Sequence, residues 1–161
     1  METRREKLGN LSDRSLIMGS NQETVYLESF TPMRGVYQVD VDVKLADIEK
    51  QIRDVELGLD GQMSMKKGGY ELAIRADPGK YLITLSNDED DVIAQYWNKS
   101  APQGEMIELG GDYWGATGIC TDVDQVVEIA LRFCETGRLT RAVDWAVDED
   151  LVNEEDLLEP R

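Results

Sequence analysis

The sequence contains no histidine, only two cysteines and only four prolines among its 161 residues. Histidine is the commonest general base and the commonest metal-binding side chain, and its absence excludes a catalytic Cys–His pair. The two cysteines, Cys120 and Cys134, are too few to form a zinc site on their own. We therefore expect a protein that is not an enzyme and that holds no metal or cofactor.

Long apolar runs are also lacking. No apolar stretch approaches the roughly 20 residues that a membrane-spanning helix needs. The first ten residues, METRREKLGN, are charged and lead into no apolar segment, unlike a secretory signal. These features predict a cytoplasmic protein that has no membrane partner.

Acidic residues dominate the charge, because 33 Asp and Glu stand against 17 Lys and Arg and leave a net charge of −16. Nucleic acids are bound chiefly through Lys and Arg, so we expect no nucleic-acid partner. A basic protein surface would instead be attracted to this molecule and steered toward it. The acids can equally serve solubility alone, and the sequence leaves both interpretations open.

The first half of the chain predicts one strand and one surface helix. In VYQVDVDV, residues 36–43, apolar and polar side chains alternate as they do in a half-buried strand. In residues 44–57, apolar side chains recur at helical spacing and form a narrow stripe that would lie on the domain. The stripe consists of Leu45, Ile48, Ile52 and Val55.

The middle of the chain predicts an antiparallel meander. GGYELAIRADPGKYLITLS contains two strand-like runs around DPGK, residues 77–80, whose Pro and Gly suit a tight turn. Residues 91–98 and 104–109 predict two further strands. The next segment, GGDYWGATGIC, has glycines at phosphate-loop spacing but lacks the lysine of that motif, so we expect a mobile loop.

Residues 121–136 predict a long amphipathic helix. Its apolar side chains fall in one broad arc, and polar side chains fill the opposite arc. Asp122 and Gln125 have the spacing of a capping box, and Gly137 suits the end of the helix. The apolar arc contains Val123, Val126, Val127, Ile129, Ala130, Leu131, Phe133 and Cys134.

These patterns predict a single α+β domain at residues 21–147. An antiparallel β-meander would be covered by the long helix at about 121–136, with the second surface helix at about 44–57. Residues 1–20 are polar and should be loosely ordered. Trp145 and Val147 could add a last edge strand. Residues 148–161 should form an acidic C-terminal tail or a short frayed helix.

Two loops are candidate partner-binding sites. The acidic one, between two predicted strands, could contact a basic partner, bind calcium or simply be solvated. The other lies in the glycine-rich segment, where exposed aromatic side chains favour a binding surface. The first contains Asp88, Glu89, Asp90 and Asp91, and the second contains Asp112, Tyr113 and Trp114. Tyr96 and Trp97 alternate in a strand, so one of them should face outward.

Residues 69–145 resemble the bacterial immunity proteins of the deaminase-inhibitor type, which are found beside polymorphic toxins. The shared pattern is an antiparallel meander, a helix that ends in aromatic-x-x-Thr-Gly, and a tryptophan shortly after it. Here these residues are Phe133, Thr136, Gly137 and Trp145. The resemblance implies a small α+β protein that binds a cognate toxin, blocks its active site and has no catalytic residues.

The resulting hypothesis is a non-enzymatic inhibitor of a toxin such as a deaminase or nuclease, whose basic cleft would attract the acidic protein. The alternative is an acidic DNA mimic, of the kind phages use, with acids spaced like phosphates along one face. In this sequence the acids cluster at 88–91 and 144–159 instead. An enzyme with a carboxylate pair is a third hypothesis, which no specific motif supports.

Overall fold

The structure is a computed structural model that describes residues 26–31, 36–40, 44–55 and 61–161. Residues 1–20, expected to be loosely ordered, lie outside this part. The strands are β1 (Tyr26–Thr31), β2 (Val36–Asp40), β3 (Gly61–Lys67), β4 (Tyr70–Asp77), β5 (Lys80–Ser86), β6 (Val92–Trp97), β7 (Met106–Leu109), β8 (Asp112–Gly115), β9 (Ile119–Cys120) and β10 (Asp144–Val147). The helices are α1 (Leu45–Asp54), α2 (Val123–Thr136) and α3 (Glu154–Leu157).

Most of these strands form one antiparallel sheet, in the order β10-β6-β5-β4-β3-β1-β2. Strand β5 has two partners on one side. Leu85 lies opposite Ala94 of β6, whereas Leu82 lies opposite Ile119 of β9. The chain therefore leaves the sheet after β6, forms the separate β7–β8 hairpin, and returns along the same side of β5.

The main core lies between one face of the sheet and helices α1 and α2. Alternate residues of the central strands, such as Ile74 and Ile83, point into it and are almost fully buried. Ile48 and Ile52 of α1 are 0 % exposed, and Leu45 at its start is 36 % exposed. The predicted α+β domain, with a meander covered by a long helix and a second helix beside it, is confirmed. Residues 104–109, predicted as a further strand of the meander, belong instead to the separate β7–β8 hairpin.

Helix α2 is capped by Asp122 and ended by Gly137, as the sequence predicted, but its first turn does not form a complete capping box. The Asp122 carboxylate accepts hydrogen bonds from the backbone amides of Asp124 and Gln125 at 3.0 and 3.4 Å. Gln125 does not return the bond as in a capping box, because its Oε1 accepts the Tyr96 hydroxyl at 3.3 Å. Gly137 ends the helix with a φ of 72°, a conformation that glycine adopts without strain.

Residues 148–161 are packed on the domain and do not form the tail that the sequence suggested. Leu157 and Leu158 are 1 % and 6 % exposed and belong to the main core. The Leu139 amide donates to the Leu157 carbonyl at 2.8 Å, and the Glu159 amide donates to the Leu139 carbonyl at 2.9 Å. Burial of two leucines therefore fixes a segment whose acidic composition resembles that of a solvated tail.

Arginines on and after α2 also hold this segment. Arg132 binds the Glu159 carboxylate through two hydrogen bonds, at 3.0 and 2.7 Å. Arg138 donates to the Leu158 carbonyl at 3.0 Å, and Arg141 donates to the Glu155 carboxylate at 2.8 Å. These cations offset the repulsion among the acids of the C-terminal segment.

Phe133→Ala tests whether α2 covers the core. Phe133 is 0 % exposed, so the substitution should lower the free energy of unfolding by about 3–5 kcal/mol. Glu128→Ala, on the exposed side of the same helix, should change it by less than about 0.5 kcal/mol. Urea denaturation measures both. Equal effects of the two substitutions would show that the facing of the helix is wrong.

Leu157→Ala and Leu151→Ala test whether the C-terminal segment is docked. Leu157 is 1 % exposed and Leu151 is 51 % exposed. Leu157→Ala should cost about 2–5 kcal/mol of unfolding free energy, because it leaves a cavity in the core. Leu151→Ala should cost much less. A frayed tail would make both substitutions neutral in thermal denaturation.

Candidate protein-binding surfaces

The glycine-rich segment forms the second strand of a hairpin and is not the mobile loop that the sequence suggested. Strand β8 pairs with β7, so that Ile107 lies opposite Trp114. The inner side of the hairpin packs on the sheet face opposite the helices. A second apolar cluster forms there around Leu82, Leu109 and Ile119, with Ile107 and Trp114 against it. The hairpin thus has its own core.

Polar contacts fix the tip of the hairpin to β4 and to the β4–β5 turn. The Gly110 amide donates to the Asp77 carboxylate at 2.8 Å. Arg75 donates to the Gly110 carbonyl at 3.1 Å and to the Asp112 carboxylate at 3.3 Å. Lys80 donates to the Glu108 carbonyl at 2.9 Å. Together with the apolar cluster, these bonds leave the hairpin little freedom relative to the sheet.

Arg75 approaches the hairpin so closely that a side chain at position 110 would displace its guanidinium. A Cβ atom there would lie 2.7 Å from Nη2 of Arg75, and Gly110 has a φ of 60°. The Arg75 guanidinium also lies 5.9 Å from the ring centroid of Trp114. The Trp114 indole is half-buried, and its Nε1 has no hydrogen-bond partner among the described residues. Packing and the Arg75 cation therefore hold this side chain.

The candidate residues of the hairpin consequently differ in orientation. Asp112 pairs with Arg75, and Trp114 packs inward, so both position the hairpin. Tyr113 faces solvent and is 68 % exposed. Met106 of β7 is 56 % exposed on the same outward side, because its cross-strand neighbour Gly115 has no side chain. Sequence reasoning placed Met106 in a strand and overlooked it as a surface residue.

The acidic turn between β5 and β6 is organised by Asn87. Its side-chain Oδ1 accepts hydrogen bonds from the backbone amides of Glu89 and Asp91, both at 3.0 Å. Asp90 adopts a φ of 63°, a left-handed conformation that Asp tolerates better than most residues. The side chains of residues 88–91 are exposed. The turn therefore presents all four carboxylates to solvent.

The pairing of β6 with β10 brings a second group of acids to this end of the sheet. The Asp148 amide donates to the Ile93 carbonyl at 2.8 Å, next to the start of β6. Residues 148–150 therefore lie beside the end of the acidic turn, and both groups are exposed. Val92 and Leu151, which are 53 % and 51 % exposed, lie within the same region. We call residues 88–92 and 148–151 the acidic end.

The two groups of candidate residues lie at opposite ends of the sheet. The hairpin packs around Leu82, whereas the acidic turn follows Ser86. The Cα atoms of these two residues are about 13 Å apart along the strand. The structure therefore does not combine Asp88, Glu89, Asp90 and Asp91 with Asp112, Tyr113 and Trp114 into one compact site.

Of the two aromatic residues of β6, Tyr96 faces the core and Trp97 faces outward. Tyr96 is 5 % exposed and meets Trp145 edge to face, with ring centroids 6.4 Å apart. Trp97 is 40 % exposed, at the end of β6 that is remote from the acidic turn. It therefore does not lie beside Asp90 and Asp91.

Both thiols are buried beneath the helices. Burial raises the pKa of Cys134 to about 12. Burial also raises the pKa of Cys120, although a backbone hydrogen bond with Asp122 opposes the shift. Burial raises the pKa of the neighbouring Tyr96 hydroxyl as well. In this environment both thiols remain protonated at neutral pH and behave as core residues.

Neither a metal centre nor a membrane-spanning helix is found in the described ranges. No three Cys, Asp or Glu side chains in them are grouped so that they could hold a metal ion. None of the helices in these ranges has the length and apolar character needed to cross a bilayer.

The molecule is thus an antiparallel sheet with helices on one face and an anchored hairpin on part of the other. A family model described as a family of unknown function (DUF6911) matches residues 26–143, and the chain belongs to this family. A hypothetical protein from Neisseria gonorrhoeae has a similar fold, with a TM-score of 0.56 and 16 % identity over 75 % of this chain and 93 % of that chain. No curated protein matches the sequence.

Labelling with a thiol reagent at pH 8 tests the burial of the cysteines. Both thiols should react only after denaturation, because they are shielded and because a raised pKa keeps a thiol protonated at this pH. A cysteine introduced at exposed Ser100 should react rapidly in the folded protein. Native Cys120 or Cys134 reacting as fast as the introduced thiol would contradict the structure.

Proposed function

We propose that the protein is a non-enzymatic inhibitor that binds a basic toxin domain and occludes its active site. The observation that carries this proposal is the convergence of residues 88–91 and 148–150 at one end of the sheet. The resemblance to immunity proteins supports the same function. In this proposal, the acidic end attracts the partner before contact is made.

The charge at the acidic end is not neutralised by the described part of the chain. No ion pair there involves residues 88–91 or 148–150. Many cations are instead held elsewhere by carboxylates. Examples are Arg132 with Glu159, Arg141 with Glu155, and Lys99 with Asp144. The acidic end therefore projects a field that reaches about 8 Å at physiological salt, which is enough to steer association.

The acidic end also contains apolar side chains that a protein partner can bury. Val92 and Leu151 are each about half exposed among the carboxylates. Protein interfaces commonly combine an apolar centre with a polar rim. A DNA mimic would instead spread its acids along a face at the spacing of phosphates. The grouping at one end, with apolar residues among the acids, favours a protein contact.

The proposal predicts that a neighbouring gene encodes a toxin-like domain, and the test is co-expression with that domain. The domain alone should arrest growth of a bacterial host, and co-expression of this protein should restore growth. The purified pair should form a stable complex. A domain that remains toxic and does not bind, whatever the salt concentration, would overturn the proposal. Capture of a DNA-processing host enzyme would favour the mimic.

Charge-neutralised variants show whether the acidic end steers binding. Glu89→Gln, Asp90→Asn and Asp91→Asn together should slow association by about 10-fold at low salt and flatten its salt dependence. The matched control neutralises three exposed acids elsewhere: Asp47→Asn, Glu128→Gln and Glu135→Gln. Stopped-flow or surface-plasmon measurements give both rates. Equal slowing by the two variants would mean that only net charge matters.

A further inference from the structure

We propose that the outward side of the β7–β8 hairpin selects the partner. Its exposed side chains would enter an apolar pocket on a basic protein. The proposal rests on the inhibitor function and narrows it, because it assigns short-range recognition to Met106 and Tyr113. The acidic end, which lies toward the other end of β5, supplies long-range attraction in this scheme.

The outward side of the hairpin offers a compact apolar contact. Tyr113 lies opposite Glu108, and Met106 lies opposite Gly115, which makes Met106 and Tyr113 diagonal neighbours on the same side. Diagonal pairs of this kind are within reach of aromatic and long side chains, at about 7–8 Å. The two residues are the most exposed large hydrophobic side chains in the described part of the chain, at 56 % and 68 %. Tyr and Met are both enriched at protein interfaces.

The hairpin is preorganised for binding. Arg75, Asp77 and Lys80 bind its backbone, and Leu109 at its inner side is 0 % exposed. A partner that buries Tyr113 therefore orders a single side chain and leaves the backbone unchanged. Rigid presentation of this kind lowers the entropic cost of association. Asp112 and Trp114 act as positioning residues, since they hold the hairpin without facing the partner.

The charges around Met106 and Tyr113 determine which kind of partner surface can bind the hairpin. Glu105 and Glu108 flank the apolar pair, and neither forms an ion pair within the described ranges. Lys80 donates its hydrogen bond to the backbone carbonyl of Glu108. The Glu108 carboxylate therefore remains exposed and charged. A second copy of this chain, with its net charge of −16, would bring like charges together. A pocket rimmed by Lys and Arg complements this surface instead.

The experiment places a photoreactive phenylalanine analogue at position 113 of the full chain in its source cells. Irradiation should yield one dominant adduct, and the adduct should be lost when Met106→Ala is added. The matched control carries the analogue at Glu128, which is exposed on the outer side of α2, and should yield no such adduct. A basic captured protein is the expected result, and a neutral or acidic one would overturn the proposal.

Affinity measurements with the purified captured protein complete the test. Tyr113→Ala should raise Kd by at least about 30-fold, mainly through faster dissociation. Tyr113→Phe, which keeps the ring, should stay within about 5-fold of the wild type. Because Tyr113 is 68 % exposed, neither substitution should shift the melting temperature. Equal losses of affinity and stability would indicate misfolding of the hairpin.

The outcomes separate this inference from the proposed function. Capture of the neighbouring toxin domain through position 113 supports both. Capture of a different basic protein supports the hairpin contact and overturns the toxin-inhibitor function. If the neighbouring toxin binds the wild-type protein but position 113 captures nothing, the function stands and the hairpin contact is wrong. If neither occurs, both proposals are wrong.

Discussion

Strand β5 is the element on which the rest of the structure depends, because it is buried on both faces. Tyr81, Ile83 and Leu85 point to the helices and are at most 1 % exposed, while Leu82 points to the hairpin and is 7 % exposed. A strand buried in this way requires cover on both sides. Helices α1 and α2 cover one face, and the β7–β8 hairpin covers the other around Leu82. The hairpin is therefore a part of the fold as well as a candidate binding element.

The elements that local patterns specify were predicted correctly. Helix α2 has a wide apolar arc, a capping Asp122 and a closing Gly137, and these signals act within a few residues of each other. The DPGK turn between β4 and β5 is equally local. Strand β3, GQMSMKK, was overlooked because it has few β-branched or aromatic residues. Met63 and Met65 are buried because β3 pairs with β4, and this pairing cannot be inferred from the local sequence of β3.

The candidate site was only partly predictable, because its geometry depends on contacts between distant segments. The sequence singled out Tyr113 and the acidic turn, and both are exposed. It could not show that residues 148–150 join that turn, since the pairing of β6 and β10 spans about fifty residues of chain. Nor could it show that Trp114 faces inward. That orientation depends on Arg75, which lies on another strand.

The residues that carry the resemblance to immunity proteins have structural roles in this protein. Phe133 fills the core, and Gly137 ends α2 in a left-handed conformation. Thr136 bonds the Arg132 carbonyl and the Arg138 amide, which ties the last turn to the following segment. Trp145 donates to the Thr140 carbonyl at 2.9 Å. These four residues therefore form the core and the end of α2, and the candidate binding surfaces lie elsewhere on the molecule.

The proposed function therefore assigns recognition to exposed side chains that do not support the fold. On the hairpin these are Met106, Glu108 and Tyr113, whose replacement removes no core contact. At the acidic end they are the carboxylates of the turn, which is held by hydrogen bonds from backbone amides to the Asn87 side chain. Because the supporting contacts are separate from the exposed side chains, one fold can change its partner without losing stability. In the proposed function, this separation allows the exposed residues to follow a changing target while the core stays the same.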